Sequence, residues 1–386
     1  MAGYIVSAAP TNYTNQVGHT TMELVAAAAR LDQAVTASDF IDVATELIAQ
    51  AGTIGAELYA VDHEVLHVVA LGNPALRLPM TDAMLDSLMG QQTVHAAGSV
   101  WSPLPNRQQP FLVARIDASQ PVVDRALGAL IGELYAHRRM SRFDLERPRR
   151  SSAMSVAAEL QWDILPMQTD STELHAVAAA LRPAYNVAGD AFDYELNEYS
   201  SSAYALDSMG HGTTATLAAT LAVTALRNSR RAGASLAEQV TTAHNEILDE
   251  WKGSRFVTIV AVEATANSLM VVNAGHEPVR RRLVDGSIEM QQIPADPPAG
   301  TPHDRAYRTT ELDPLQPGEG LVLLSDGAAN NRAADGSSLG QEGVNLAIGT
   351  AWSAAPFSTV HRFLAEVNRN LDVEQVDDIT ALVLTA

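Results

Sequence analysis

The chain has 386 residues, 47% hydrophobic and 18% charged, with a formal charge of −20 and no cysteine. It is globular and long enough for about two or three domains, and the missing thiols exclude disulfides, zinc–thiolate sites, iron–sulfur clusters and thiol catalysis. A net field of this sign argues against nucleic acid or anionic lipid as the main partner, and aromatics at only 5% leave little for base stacking.

Taken in chain order, Met1 to Gln16 is polar and has no basic stretch followed by an apolar core, so it does not read as a secretory signal. Residues 1–19 read as a flexible arm. From Thr21 to Ala51 apolar residues recur at three- and four-residue intervals, which predicts helix in two pieces broken near Thr36 to Asp39, with Ser38 as the second cap. Ala56 to Val61 and Val65 to Leu71 predict a hairpin, Val94 to Trp101 and Phe111 to Ile116 two more strands, and Val122 to Met140 a helix. Helices around a small antiparallel sheet in residues 20–120 resemble a GAF-type sensor domain; a PAS-like or other α+β domain fits the same pattern. Residues 121–156 form a helical linker carrying Arg138, Arg139, Arg142, Arg147, Arg149 and Arg150. It reads either as a solvated helix ending at Pro148 or as a docking strip for an acidic surface.

The texture changes after Ser151. Met154 to Leu165 has helical period and ends at Pro166. His175 to Leu181 is strand-like, and Phe192 to Glu198 with Ser202 to Asp207 predicts a hairpin around Tyr199 to Ser201. Helices follow at Gly212 to Arg231 and Leu236 to Trp251, then strands at Phe256 to Glu263, Ser268 to Ala274, Val279 to Val284 and Ser287 to Ile293. Gly320 to Ser325 reads as a buried strand, Gln341 to Ala351 and Phe357 to Asn370 as helices, and Ile379 to Thr385 as the last strand. The longest apolar helix-like run, Ala215 to Leu226, is interrupted by threonine and about half the length of a membrane span. A soluble cytoplasmic protein without membrane partners is the simplest expectation. Strand runs alternating with helix pairs predict an α+β fold, an antiparallel sheet core flanked by helix pairs.

Four acidic motifs stand where apolar runs meet turns: Gly189-Asp190, Asp207-Ser208-Met209-Gly210-His211-Gly212, Ser325-Asp326-Gly327 and Asp377-Asp378-Ile379-Thr380. Asp190 precedes the first strand of the predicted hairpin and Asp207 ends the second, so both carboxylates emerge at one end of the ladder. Asp326 ends another strand and Asp377 opens the last. Three or four carboxylates brought together without a cation repel one another and resist desolvation. Two Mn²⁺ or Mg²⁺ ions remove that cost, since both prefer hard oxygen ligands. The pattern points to metal-assisted hydrolysis.

Seven short pieces lie in the order of one known family: Leu160 to Pro166, Arg182-Pro183-Ala184, Val187 to Tyr194, Asp207 to Gly212, Asn273 to Pro278, Ser325 to Gly327, and Asp377 to Thr380. From Ala157 to Thr385 the chain resembles the SpoIIE/RsbU branch of the metal-dependent (PPM, type 2C-like) protein phosphatases. The resemblance implies a phosphatase domain over residues 157–386. It implies that Asp207 bridges two ions, that Asp190 and the carbonyl of Ser208 complete one site, and that Asp326 and Asp377 complete the other. It further implies hydrolysis of phosphoserine or phosphothreonine by a metal-activated hydroxide, with a small phosphorylated regulator, of the STAS-type anti-sigma antagonist kind, as substrate. In that family the segment at Leu160 to Pro166 acts as a switch. A homodimer through the N-terminal domain and linker fits such an arrangement.

The chain departs from the family pattern at Ala188 in place of a glycine, Ala191-Phe192 in place of an aromatic pair, Glu277 in place of a proline, and Asn330-Asn331 where a glutamate is usual. None is a metal ligand. His211 is a candidate general acid, since histidine titrates near neutrality; a loop-stabilising role is the competing reading. His276 reads as structural. Arg280 and Arg282 share a strand face and are candidates for holding phosphate. The alternative to an active phosphatase is a binding protein that keeps the fold but turns over little.

Overall fold

The computed structural model describes residues 21–62, 65, 67–81, 84–85, 92–96, 98–104, 112–117, 119–139, 147–150, 153–182, 189–330, 337–370 and 378–386. The expected arm, residues 140–146 of the expected linker, and Asp377 lie outside them.

The N-terminal part builds on α1 (Thr21–Gln33) and α2 (Ala37–Gln50). The cap of α2 is Thr36 rather than Ser38: the Thr36 Oγ1 accepts the Asp39 N–H at 3.1 Å, and the Asp39 carboxylate accepts the Thr36 N–H at 2.7 Å. That reciprocal pair satisfies two end donors of the helix, which a cap at Ser38 would leave open. Six strands, β1 (Glu57–Val61), β2 (His67–Ala70), β3 (Arg77–Pro79), β4 (Val94–Ala96), β5 (Ser99–Pro103) and β6 (Leu112–Asp117), form one antiparallel sheet in the order β3-β2-β1-β6-β5-β4. Helix α3 (Arg125–Arg139) starts three residues after the predicted Val122, because the Asp124 carboxylate accepts the N–H groups of Ala126 and Leu127. One face of the sheet, including Leu58, Ala60, Leu112 and Ala114, packs with Leu31, Phe40, Ile48, Leu127 and Tyr135 of the helices.

The C-terminal part is a two-sheet sandwich. One sheet runs β15-β12-β11-β10-β9, from Thr310–Leu312, Leu269–Ala274, Val257–Thr265, Ser200–Ser208 and Ala191–Leu196. The other runs β14-β13-β16-β17-β8-β7, from Ile288–Met290, Arg280–Arg282, Gly320–Leu324, Ile379–Thr385, Ala176–Arg182 and Thr169–Ser171. Every pair of neighbouring strands in these two sheets is antiparallel. The period of two assigns each face. In β8, Val177, Ala179 and Leu181 enter the sandwich core with Phe192, Ala205, Val260, Leu323 and Leu382, while Ala178 and Ala180 face outward. In β10, Ala203 and Ala205 face inward, and Tyr204 and Leu206 meet the outer helices α5 (Thr213–Arg231) and α6 (Leu236–Trp251). Burying each such Val or Leu contributes about 1.5–3 kcal/mol. On the other side lie α8 (Gly340–Ala351) and α9 (Pro356–Asn370), and the four-residue α7 (Gly327–Asn330) follows β16. The α+β class, antiparallel sheets flanked by helix pairs, is the one the strand and helix pattern predicts.

Two contacts tie the halves together. Arg149, only 2% exposed, donates from Nε to the Val61 carbonyl at 2.7 Å, and Arg77 donates to the Arg150 carbonyl. Arg150 in turn pairs with Glu159 on α4 (Val156–Ile164), with one contact at 3.1 Å. The described end of the arginine strip is therefore docked on its own chain. The second face of the N-terminal sheet, with Tyr59, Val68, Trp101 and Val113, belongs to the same buried apolar cluster as Val322, Phe357 and Leu364. Among the described residues no helix is long and apolar enough to cross a membrane.

Candidate metal centre

Four strand ends converge at one mouth of the sandwich. In the β9–β10 hairpin Leu206 opposes Ala191, so the next residues outward, Asp207 and Asp190, face each other across its open end. Strand β11 continues the ladder, with Asp207 opposite Thr258 and Ser208 opposite Val257. In the second sheet the Ser325 N–H donates to the Thr380 carbonyl at 3.1 Å, and the Thr380 N–H to Ser325 Oγ at 2.9 Å. Those bonds bring Asp326 and Asp378, the residues just beyond β16 and before β17, to the same end.

Gly189 closes the gap between the sheets. Its φ of +147° is open to glycine, and a Cβ there would lie 2.8 Å from the Ala215 Cβ and 3.2 Å from the Ser208 carbonyl oxygen. Its N–H donates to Asp378 Oδ2 at 3.2 Å. Asp190 beside it is buried, and its Oδ2 has no hydrogen-bond partner among the described residues. Burial, and then the charges of Asp207 and Asp378, hold its carboxyl well above the usual carboxylate range, with the Ser325 and Thr380 hydroxyls opposing. Asp326 is half-buried; its carbonyl accepts the Ala329 and Asn330 N–H groups, and its Oδ2 accepts from Asn330 Nδ2 at 3.1 Å. Asn330, one of the departures from the family pattern, thus orients a carboxylate.

Among the described residues no three histidine or acidic side chains already converge as an ion cage; Asp377 lies outside those residues. The donors present still fit a hard divalent cation. They are oxygens only, and the buried, orphaned Asp190 Oδ2 beside two further carboxylates is a group that a native structure rarely leaves uncompensated.

His211 sits exposed at the tip of the loop after Asp207. His276 is buried behind it: Nδ1 lies 2.8 Å from Thr258 Oγ1, which also donates weakly to the Asp207 carbonyl at 3.4 Å. Asn273 clamps that turn from both sides, accepting the His276 N–H and donating to its carbonyl. Burial pushes the His276 imidazole down to about 4, so it is neutral at physiological pH. Arg280 is buried against Gln341 and Asn345 of α8, and Arg282 lies over the Trp352 ring with 4.8 Å from Cζ to the centroid. Both are engaged in holding α8 and its end to the sheet, so the phosphate-holding role expected from their shared strand face has no support. Sequence reasoning missed Asp378, Thr258 and Asn330. The doubled aspartate before Ile379 was the available signal for the first.

Residues 200–386 match the family described as Stage II sporulation protein E (SpoIIE). No curated protein matches the chain. Among solved structures, the SiaA-PP2C domain of Pseudomonas aeruginosa superposes with a TM-score of 0.50 at 22% identity, over 60% of this chain and 94% of that one. The RsbU and RsbW domains of Rv1364c from Mycobacterium tuberculosis give 0.48 at 18% identity, over 55% of this chain and 60% of that one. The phosphatase domain of SpoIIE from Bacillus subtilis, with a fragment of its regulatory domain, gives 0.46 at 17%, over 56% and 65%. The chain thus spans less than two thirds of the Rv1364c and SpoIIE structures it matches. Its C-terminal part is similar to the SpoIIE family over residues 200–386 and shares the fold of the SiaA-PP2C domain.

Proposed function

We propose that this chain is a Mn²⁺- or Mg²⁺-dependent protein phosphatase that hydrolyses phosphoserine or phosphothreonine on a small regulatory protein, under control of its N-terminal part. The observation that carries the reading is the buried Asp190 carboxyl, orphaned at Oδ2 and facing Asp207 and Asp378 at the sandwich mouth. Asp190, Asp207, the Ser208 carbonyl, Asp326 and Asp377 are the groups that would hold two ions. When bound, such ions supply a water nucleophile at neutral pH and offset the charge of the phosphoryl group.

The chain's own residues do the positioning. The ladder fixes Asp207 opposite Asp190, Asp378 holds the Gly189 N–H, and Asn330 orients Asp326. Docking of Arg149 on Val61 and of Arg150 on Glu159 supports a regulatory role for the N-terminal part, because it links that sheet to α4. Helix α4 is anchored in turn by its Ile164 carbonyl, which accepts from Arg227 of α5 at 2.8 Å, and α5 begins at the Asp207–Gly212 loop.

Phosphate release from a phosphoserine peptide and from phosphorylated metabolites, each with Mn²⁺, tests the substrate class. The proposal expects turnover of the peptide at least tenfold faster; faster turnover of the metabolites would overturn the protein-substrate reading.

A further inference from the structure

We infer that Arg255 is a phosphate-binding residue at the mouth of the candidate metal centre; the inference rests on the phosphatase reading above. Arg255 stands two residues before β11, whose Val257 opposes Ser208. The ladder therefore carries it past the end of the sheet, level with Gly210. Its Nη1 donates to the Met209 carbonyl at 3.1 Å, and the Met209 N–H donates to the Phe256 carbonyl at 3.0 Å. A Cβ on Gly210 would lie 3.5 Å from the same Nη1, so the guanidinium rests directly over the loop that follows Asp207.

Arg280 and Arg282 also lack a carboxylate but are held by Gln341, Asn345 and the Trp352 ring; Arg255 combines that lack with a place at the mouth. Elsewhere in the sandwich Arg227 and Arg230 bind Asp193, Arg281 binds Glu319, and Arg308 binds Asp296. Arg255 makes no ion pair with the described residues, although the chain has 45 acidic residues against 25 basic ones. It is half-buried, with one hydrogen bond to a carbonyl that leaves most of its five donors open. A chain of charge −20 repels a phosphorylated substrate at long range, so local positive charge at the mouth is needed. Guanidinium matches that need, because its planar fork meets phosphate oxygens two at a time. The ligand is a phosphate group, either on the substrate or released as product.

The test uses the full chain as wild type, Arg255→Lys and Arg255→Ala, all with Mn²⁺. Two readouts are taken: the thermal shift produced by inorganic phosphate, and KM and kcat on a phosphoserine peptide. Circular dichroism and the midpoint without phosphate check that each variant is folded. In Arg255→Ala, the phosphate concentration needed for half the thermal shift rises about tenfold, and KM rises by a larger factor than kcat falls. Arg255→Lys recovers part of both, since it keeps the charge but loses the fork. If phosphate affinity is the same in all three, or if wild type shows no phosphate shift, Arg255 only pins the Met209 carbonyl and the inference is overturned. A wild type that binds phosphate through Arg255 but never turns over the peptide supports the site and rejects the hydrolase reading.

Discussion

At the scale of single residues, the acidic mouth is costly until a cation enters. Asp190 is buried among like charges, and its raised carboxyl range records that cost. Asp190→Asn should therefore raise the metal-free stability by about 1–3 kcal/mol while abolishing the Mn²⁺-induced rise in Tm; calorimetry with and without Mn²⁺ reads both, and a destabilised metal-free variant would count against the arrangement. His361 makes a second case. It is buried on α9, its ring tilted against Phe357 with centroids 4.3 Å apart, and neither ring nitrogen is hydrogen-bonded among the described residues. Replacing it by Phe should stabilise the fold by about 1–2 kcal/mol in urea unfolding. Burial, and then the Arg182 charge, keep His361 neutral in the fold; burial does the same to His175 and His276. The unfolded chain takes up these protons below about 6.5, so it binds more protons than the fold. Stability is then full above pH 6.5 and falls as pH drops toward 4. For His276, whose folded value is about 4, the loss reaches about 3 kcal/mol. Asp190, whose raised carboxyl works in the opposite direction, is removed from the comparison in Asp190→Asn; there the urea midpoint at pH 5.0 should lie clearly below that at pH 7.5, and equal midpoints would contradict this.

At the scale of elements, apolar patterning made the large pieces legible. Helices α5 and α6 and strand β17 start within a residue of where periodicity put them, because their capping, glycine and turn residues are local signals. Short strands were only partly legible: Arg280–Arg282 lies inside the strand predicted at Val279 to Val284, whereas Thr310–Leu312, which no apolar alternation marks, is held by pairing with Leu269 to Val271. Nothing in a local window tells that Gln341 and Asn345 will cover Arg280. The four acidic motifs were legible as a set because each sits at a strand end, whereas the pairing of Asp378 with the Gly189 N–H needed the register of two sheets. Gly189 is the joint between them. Gly189→Ala would drive a methyl to within 2.8 Å of Ala215 and demand a φ open to glycine. It should cost about 1–3 kcal/mol and remove Mn²⁺ binding by isothermal titration; unchanged binding would show that the joint tolerates displacement.

At the scale of the whole molecule, two signals remained out of reach of the sequence. One is the sharing of a single buried cluster by the second face of the N-terminal sheet and helices α8 and α9. The other is the docking of Arg149 and Arg150, which composition alone left between a solvated strip and an internal clasp. A shared core predicts that both halves melt together, in one transition seen alike by far-ultraviolet circular dichroism and tryptophan fluorescence; two separated transitions would break the link. The central claim is that the carboxylates at the sandwich mouth hold divalent ions for phosphate-ester hydrolysis. The most direct measurement is hydrolysis of p-nitrophenyl phosphate by wild type and Asp207→Asn, with Mn²⁺ and with chelator. The account predicts turnover that requires Mn²⁺ and falls at least about 100-fold in the variant. Equal turnover by the two proteins, or turnover that survives chelation, would contradict it.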